Sequence, residues 1–210
     1  MIKTTAIHND GTLEIHPELA SDPGAELVDR LRARDPEVIR WVVDTYGDQL
    51  YRASRGAGFD PTEAEELSQA VFVTFLETLS RFEGRSHVRT WLFGILYRKM
   101  SEARRKLGRQ REVDPLDTVD EESLGPASDT WGPPLRSAED LVLDKELMGH
   151  LRECLDKTPL DQRMVFILRE INGLETPEIL ESLEISRSNF GVLLHRARRR
   201  LRTCLGARGH

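Results

Sequence analysis

Cysteine is scarce in this chain: its 210 residues carry two, Cys154 and Cys204, fifty positions apart and outside any CxxC spacing. So low a count argues against a disulfide framework, and it fits a reducing compartment. With His150 and His195 the cysteines show no metal-ligand spacing, so core or surface roles are expected of them. No metal and no cofactor is expected. No apolar run approaches ~18 residues, which argues against membrane insertion. The first twenty residues lack the basic start and apolar centre of a signal peptide, so the default is a cytoplasmic protein. A basic surplus is missing too, the net charge being −6. Taken as an average, that speaks against nucleic acid. Strand-like alternation persists nowhere, and there is no internal repeat. An apolar content of 39% supports packed but modest cores.

What is present is helix, in two groups, with charge in blocks. Residues 1–24 are mixed polar with Gly11, Pro17, Pro23 and Gly24, and read as a disordered tail. Leu27, Val28 and Leu31 open the helical pattern. Asp35-Pro36 and Asp60-Pro61 are start signals, with Asp as N-cap and Pro at the first helical position. Gly56-Ala57-Gly58 is a stop. Helices are expected from Pro36, from Pro61 to about Ser80, and from Val88 to about Arg105, giving a four-helix domain over 25–107. Between the last two lies a polar loop, Glu83 to His87. From Arg85 to Arg111 nine Lys or Arg face one acid, Glu102. Residues 108–137 are broken by Pro115, Gly125, Pro126, Gly132, Pro133 and Pro134. From Glu112 to Glu146 eleven acids oppose two cations, so this segment reads as a flexible acidic linker. A second helical domain follows over 138–210. The fold class is therefore all-α: two small helical domains joined by that linker.

Within the second domain, Thr176-Pro177 opens a short helix, Glu184-Ile185 makes a tight turn, and Ser186 caps a final helix. That is a helix-turn-helix. From Ile185 to the end there are seven Arg and no acid, suited to phosphate neutralisation. The N-terminal part of the second helix would enter the major groove, nominating Arg187, Ser188, Asn189, Val192, His195 and Arg196, with Arg199 a turn on. Arg187 can pair bidentately with guanine and Asn189 with adenine. The alternative is a solvated basic helix end favoured by the helix dipole. In the first domain, Phe82, Trp91, Phe93 and Tyr97 are the aromatics available to capture unstacked bases. Phe82 and Trp91 also read as core. The loop from Glu83 is well placed to pocket a flipped base. Glu63, Glu65, Glu66 and Gln69 lie on or near one helix face without a catalytic partner, which leaves a solvated face or a protein contact.

Three stretches of the first domain carry a family resemblance: Ala64-Glu65-Glu66-Leu67-Ser68-Gln69-Ala70-Val71-Phe72, Arg81-Phe82-Glu83-Gly84-Arg85 and Arg89-Thr90-Trp91-Leu92. Together they resemble the second conserved region of bacterial RNA polymerase sigma factors of the sigma-70 family, extracytoplasmic-function group. Gly173-Leu174, Ile179, Leu183, Ile185-Ser186, Leu194-His195-Arg196-Ala197-Arg198 and Leu201 resemble the fourth region. The resemblance implies that the first domain melts promoter DNA and reads the minus-ten element with Phe82, Glu83, Gly84, Arg85, Ser86, His87, Arg89, Trp91, Arg98 and Lys99. It implies docking on the clamp helices of the polymerase core through Glu63, Glu65, Glu66, Gln69 and Phe72. The helix-turn-helix would read the minus-thirty-five element and pack on the polymerase flap. An anti-sigma factor is the further partner implied, and the acidic linker would thread toward the active-site cleft. The family usually has Gly where Glu184 stands and a basic residue where Gly191 stands. A stand-alone regulator using only the helix-turn-helix is the competing reading. An enzyme acting on nucleic acid lacks a nucleophile, a metal cluster or a phosphate-cradling loop.

Overall fold

The computed structural model describes residues 25–106 and 145–207, in which helices are joined by short turns and loops and no strand occurs. The first bundle comprises α1 (Ala25–Arg32), α2 (Pro36–Gly56), α3 (Pro61–Thr78) and α4 (Val88–Lys106). The second comprises α5 (Lys145–Asp156), α6 (Leu160–Phe166), α7 (Thr176–Leu183) and α8 (Arg187–Gly206). The expected tail at 1–24, the acidic linker at 108–137 and the helix start near Ala138 lie outside the described residues. So do Arg109, Arg111 and Arg208.

The helix ends follow local chemistry. The Asp35 carboxylate accepts from the Glu37 amide, and Pro36 supplies the preset φ of a first turn. Asp60 and Glu63 form a reciprocal capping box: each side chain accepts from the other's backbone N–H at 2.9 Å. Such a cap contributes roughly 1 kcal/mol. Glu63, expected on the polymerase face, therefore already serves the start of α3. After Thr78 the chain tightens into a 3-10 turn, Leu79–Arg81, a residue beyond the expected helix end. The α6 helix continues as a π-helical turn, Ile167–Ile171, and ends at Gly173 with φ 64°.

Packing follows the apolar stripes. Val42, Leu50, Leu67, Val71, Phe75, Leu92 and Leu96 fill the first bundle; Met164, Ile179, Phe190, Leu194, Ala197 and Leu201 fill the second. Phe190, Leu194, Ala197 and Leu201 fall at steps of three and four, so one face of α8 is buried.

The two bundles do not stand apart. Their buried residues form one continuous apolar cluster, and α7 lies directly across α4. At the crossing a Cβ on Gly94 would come 3.1 Å from the Ser182 carbonyl oxygen. A mid-helix glycine costs about 1 kcal/mol relative to alanine; here it lets two helix backbones approach. Arg163 crosses the same seam. Its side chain is fully buried, and its guanidinium donates to the carbonyls of Ala57, in the first bundle, and Thr158, in its own. Arg104 donates to the same Ala57 carbonyl at 2.7 Å. Burial first, and the nearby Arg104 charge second, pull the Arg163 guanidinium down to about 9, against the opposing pull of Asp156.

The expectation of separate roles for the cysteines, with no disulfide, is overturned. Cys154 in α5 and Cys204 in α8 are disulfide-bonded, with Cα atoms 5.8 Å apart. The two helices pack side by side, so residues fifty positions apart meet at one level of the bundle.

Candidate functional site

Two surfaces collect the residues singled out in the sequence. The first surrounds the loop between α3 and α4. Its conformation is held from below: Arg32 donates to the Phe82 carbonyl at 2.9 Å, and Gly84, with φ 71°, presses on Val28 of α1. A side chain at position 84 would collide with Val28 and strain the left-handed backbone. Phe82 is buried and stacks on Trp91, with ring centroids 4.7 Å apart and planes 8° from parallel. Phe75 meets the same indole edge-on at 5.3 Å. Phe82 is thus a core residue that fixes Trp91. Phe93 is also core.

Beside this stack opens a cavity of about 610 Å³. Thr74, Thr78, Ser86 and Ile95 line it with Phe82 and Trp91, and charged groups surround them: Arg81, Arg85, Arg98, Lys99, Glu83 and Glu102. An aromatic wall with donors and acceptors at the rim is what an unstacked base needs. Arg85 is ion-paired with Glu83 in the same loop. The structure therefore brings Phe82, Glu83, Arg85, Ser86, Trp91, Arg98 and Lys99 together; Gly84 shapes the loop, and His87 ends it.

Arg89 stands apart. It is engaged by the second bundle: its Nη2 donates to both carboxylate oxygens of Glu178 in α7, at 2.9 Å each. Arg98 does double duty, lining the cavity and pairing with Glu184 at 2.7 Å. Thr90 donates to Glu178 at 3.4 Å, Ser182 donates to the Thr90 carbonyl at 3.0 Å, and Tyr97 donates to Asp161 at 2.8 Å. Burial works to raise the Glu178 carboxyl, but the Arg89 hydrogen bond, the Glu175 amide and the charges of Arg89 and His87 outweigh it. The carboxyl is held below its ordinary value of 4.5. Sequence reasoning missed these acidic partners. The one signal was Glu184, a non-glycine residue at φ 55° in the turn.

The second surface is the solvent side of α8. Ser186 caps the helix, its hydroxyl accepting from the Asn189 amide at 3.2 Å. Arg187, Ser188, Asn189, His195 and Arg199 are exposed, and Val192 and Arg196 are half-buried. Ser188, Val192, His195 and Arg199 recur at three- and four-residue steps, so they form one stripe opposite the buried face. The Ser188 hydroxyl is 3.0 Å from that of Ser186. Gly191 is half-buried within the same helix.

On α3, Glu65, Glu66 and Gln69 are exposed and Phe72 is half-buried. Gln69 donates to Glu65 at 3.4 Å. Val73, one turn beyond Gln69, is 55% exposed and adds an apolar spot that the sequence reading passed over. Among the described residues no group of His, Cys, Asp and Glu could hold a metal ion, and no helix is long and apolar enough to cross a membrane.

Residues 42–110 match the sigma-70 region 2 family and residues 149–201 the sigma-70 region 4 family, one in each bundle. A probable RNA polymerase sigma factor of Haemophilus influenzae is 30% identical over 150 residues, spanning 68% of this chain and 76% of the relative. The extracytoplasmic-function sigma factor SigX of Bacillus subtilis is 28% identical over 173 residues, spanning 79% and 82%. The architecture is similar to that of CnrH, solved in complex with the cytosolic domain of CnrY. That match has a TM-score of 0.63 and 23% identity, covering 89% of this chain and 99% of that one. It is also similar to the sigma factor RpoE solved with the anti-sigma factor NepR from Bartonella quintana, at a TM-score of 0.58 and 22% identity, covering 80% and 96%. With both regions matched in order on two helical bundles, the chain belongs to the sigma-70 family of RNA polymerase sigma factors, in its extracytoplasmic-function group.

Proposed function

We propose that this sigma factor divides promoter recognition between its bundles. The second bundle reads the minus-thirty-five element through the exposed side of α8, with Arg187 and Asn189 at its N-terminal end facing bases and Arg196 and Arg199 near phosphates. The first bundle docks on the polymerase clamp through Glu65, Glu66, Gln69 and Phe72, joined by Val73. Its loop from Glu83 to His87, with Trp91, Arg98 and Lys99, captures the opened minus-ten strand in the adjoining cavity. One observation carries the reading: an aromatic-walled cavity opens beside α4 in the bundle matched to region 2, and Arg187 and Arg199 are exposed on the solvent side of α8 in the bundle matched to region 4. The domains are those drawn from the sequence, 25–107 and 138–210, with 108–137 as an acidic spacer between them.

In this reading the polymerase makes every covalent bond and the chain supplies only recognition, acting in the cytoplasm. RpoE solved with an anti-sigma factor and CnrH with CnrY support a protein inhibitor for this chain as well.

Transcription in vitro from genomic fragments, with core polymerase and the purified chain, tests the proposal. Discrete start sites are expected only when both are present. Gel shifts complete the test: operator-like binding without polymerase would instead favour a stand-alone regulator. Reversing one charge on the docking face, Glu66→Arg, is expected to weaken assembly with core polymerase by ~1 kcal/mol or more. Wild-type assembly would reject that face.

A further inference from the structure

We propose that the end of α1 is a positioning element for base capture: Arg32 and Arg34, outside the cavity, set the pose of the loop from Glu83 to His87 and thereby which base it accepts. This rests on reading that loop as the capture site for the opened strand. The end of α1 is built at a cost. The Arg34 amide donates to the Leu31 carbonyl at 2.9 Å and the Asp35 amide to the Arg30 carbonyl at 3.0 Å, the paired bonds of a Schellman ending. That ending puts Arg34 at φ 56°, where glycine is the unstrained choice. A long side chain held in the left-handed region points to a use for that side chain. The Arg34 guanidinium donates to the Leu76 carbonyl at 3.2 Å. Leu76 lies in the last turn of α3, the end of a helix dipole that favours a cation.

Arg32 reaches the other side of the same bend. Its Nε donates to the Phe82 carbonyl at 2.9 Å, and Phe82 immediately precedes the loop. The two arginines therefore bracket the 3-10 turn Leu79–Arg81, one bond before it and one after. Val28, four residues before Arg32 and on the same face of α1, supplies a third point by occupying the space a side chain at Gly84 would need. None of these α1 groups lines the cavity, so they act through the backbone of the loop. The Phe82 ring is set by Trp91 and its carbonyl by Arg32, which fixes the direction in which the chain enters the loop. Within the loop, the Glu83–Arg85 pair is exposed and holds it only weakly. The rim groups Glu83, Arg85 and Ser86 thus inherit their places from α1.

The test uses the full chain with core polymerase and forked DNAs from one mapped promoter, duplex upstream and single-stranded across the minus-ten element. Each unpaired position carries each of the four bases in turn. Competition binding gives the spread in affinity between best and worst base at the most selective position. Arg32→Gln and Arg32→Met match the length of the arginine stem, and only Gln keeps a donor where Nε stands. Arg32→Met is expected to shrink the spread about fivefold, the scale of one lost hydrogen bond, and Arg32→Gln to keep it within about twofold. Arg34→Gly relieves the left-handed residue and removes its guanidinium. It is expected to keep the urea midpoint of the parent and still shrink the spread, which a merely structural role would not do. It also carries the test if Arg32→Met fails to fold. An intact spread in Arg32→Met and Arg34→Gly would overturn the proposal, whatever their stability. So would equal losses in Arg32→Gln and Arg32→Met, which would assign Arg32 to a phosphate contact. A further variant, Arg85→Ala with Lys99→Ala, probes the underlying reading. If it shrinks the spread while the α1 variants do not, positioning is wrong and the capture reading stands. If it leaves the spread unchanged, the capture reading falls and the proposal with it.

Discussion

Replacing Arg163 with alanine tests whether the two bundles fold as one unit. The side chain is fully buried and donates to the Ala57 and Thr158 carbonyls, with Asp156 at 3.3 Å. Its pKa is pulled down to about 9, corresponding to roughly 5 kcal/mol working against the charged form, which the hydrogen bonds must offset. Truncation relieves that burden. It also strips both side-chain donors from the Thr158 carbonyl, at about 1–3 kcal/mol, and empties a core site, at about 2–5 kcal/mol. Asp156 is half-exposed and stays hydrated, so no buried charge is orphaned. Because the relieved burden and the hydrogen bonds that offset it are lost together and largely cancel, the net expectation is a loss of about 3 kcal/mol or more for Arg163→Ala, the sum of the lower ends of the two remaining costs. Arg163→Met refills the volume without a charge and should lose only about 1 kcal/mol. Arg163→Lys lacks the planar fork and should resemble alanine. Urea unfolding in a Trp131→Phe background reads the result: Trp41 and Trp91 report the first bundle by fluorescence, and circular dichroism reports both. Coincident transitions are expected for the parent, and separated ones for Arg163→Ala. A variant within 1 kcal/mol of its parent, still unfolding in a single step, would refute the reasoning.

Three further outcomes are expected. Reducing the Cys154–Cys204 bond, or replacing both residues with serine, should destabilise the second bundle by roughly 4 kcal/mol, the chain-entropy value for a loop of about fifty residues; an unchanged urea midpoint with reductant would mean the bond does not form in solution. The Glu178 carboxyl is held below 4.5, so its contribution to the seam between the bundles is full above that pH and is lost as pH falls through the depressed value; scattering between pH 6 and pH 3 should show the chain expanding at the acid end, less so in Glu178→Gln. Arg187→Ala should weaken minus-thirty-five binding by about 1–3 kcal/mol, and an unchanged promoter profile would exclude a base contact.

What could be read in advance was local. Asp35-Pro36 and Asp60-Pro61 carry their helix starts in two residues, because an N-cap and a fixed φ need no distant partner. Gly173 and Ser186 announce a helix end and a helix start in the same way. The stripe of α8 follows from its period alone. The cysteine pairing could not be read, since fifty residues of separation say nothing about which helices lie side by side. Glu63 has a second role that was not read in advance, accepting from the backbone amide of Asp60, because a backbone partner is invisible in a list of side chains. Arg163 and Gly94 belong to the same class: a buried guanidinium and a mid-helix glycine look like defects until the other bundle is in place. Val73 was passed over because one apolar residue on a polar face has no periodic signature.

The bond between Cys154 and Cys204 ties the first helix of the second bundle to its last. Mechanically, that makes the bundle a closed ring. A machine hauling the chain in from its C-terminal end would pass its load from α8 straight across to α5, and the helices between would feel almost no force. The helix-turn-helix would then ride through intact until a reductant opened the ring.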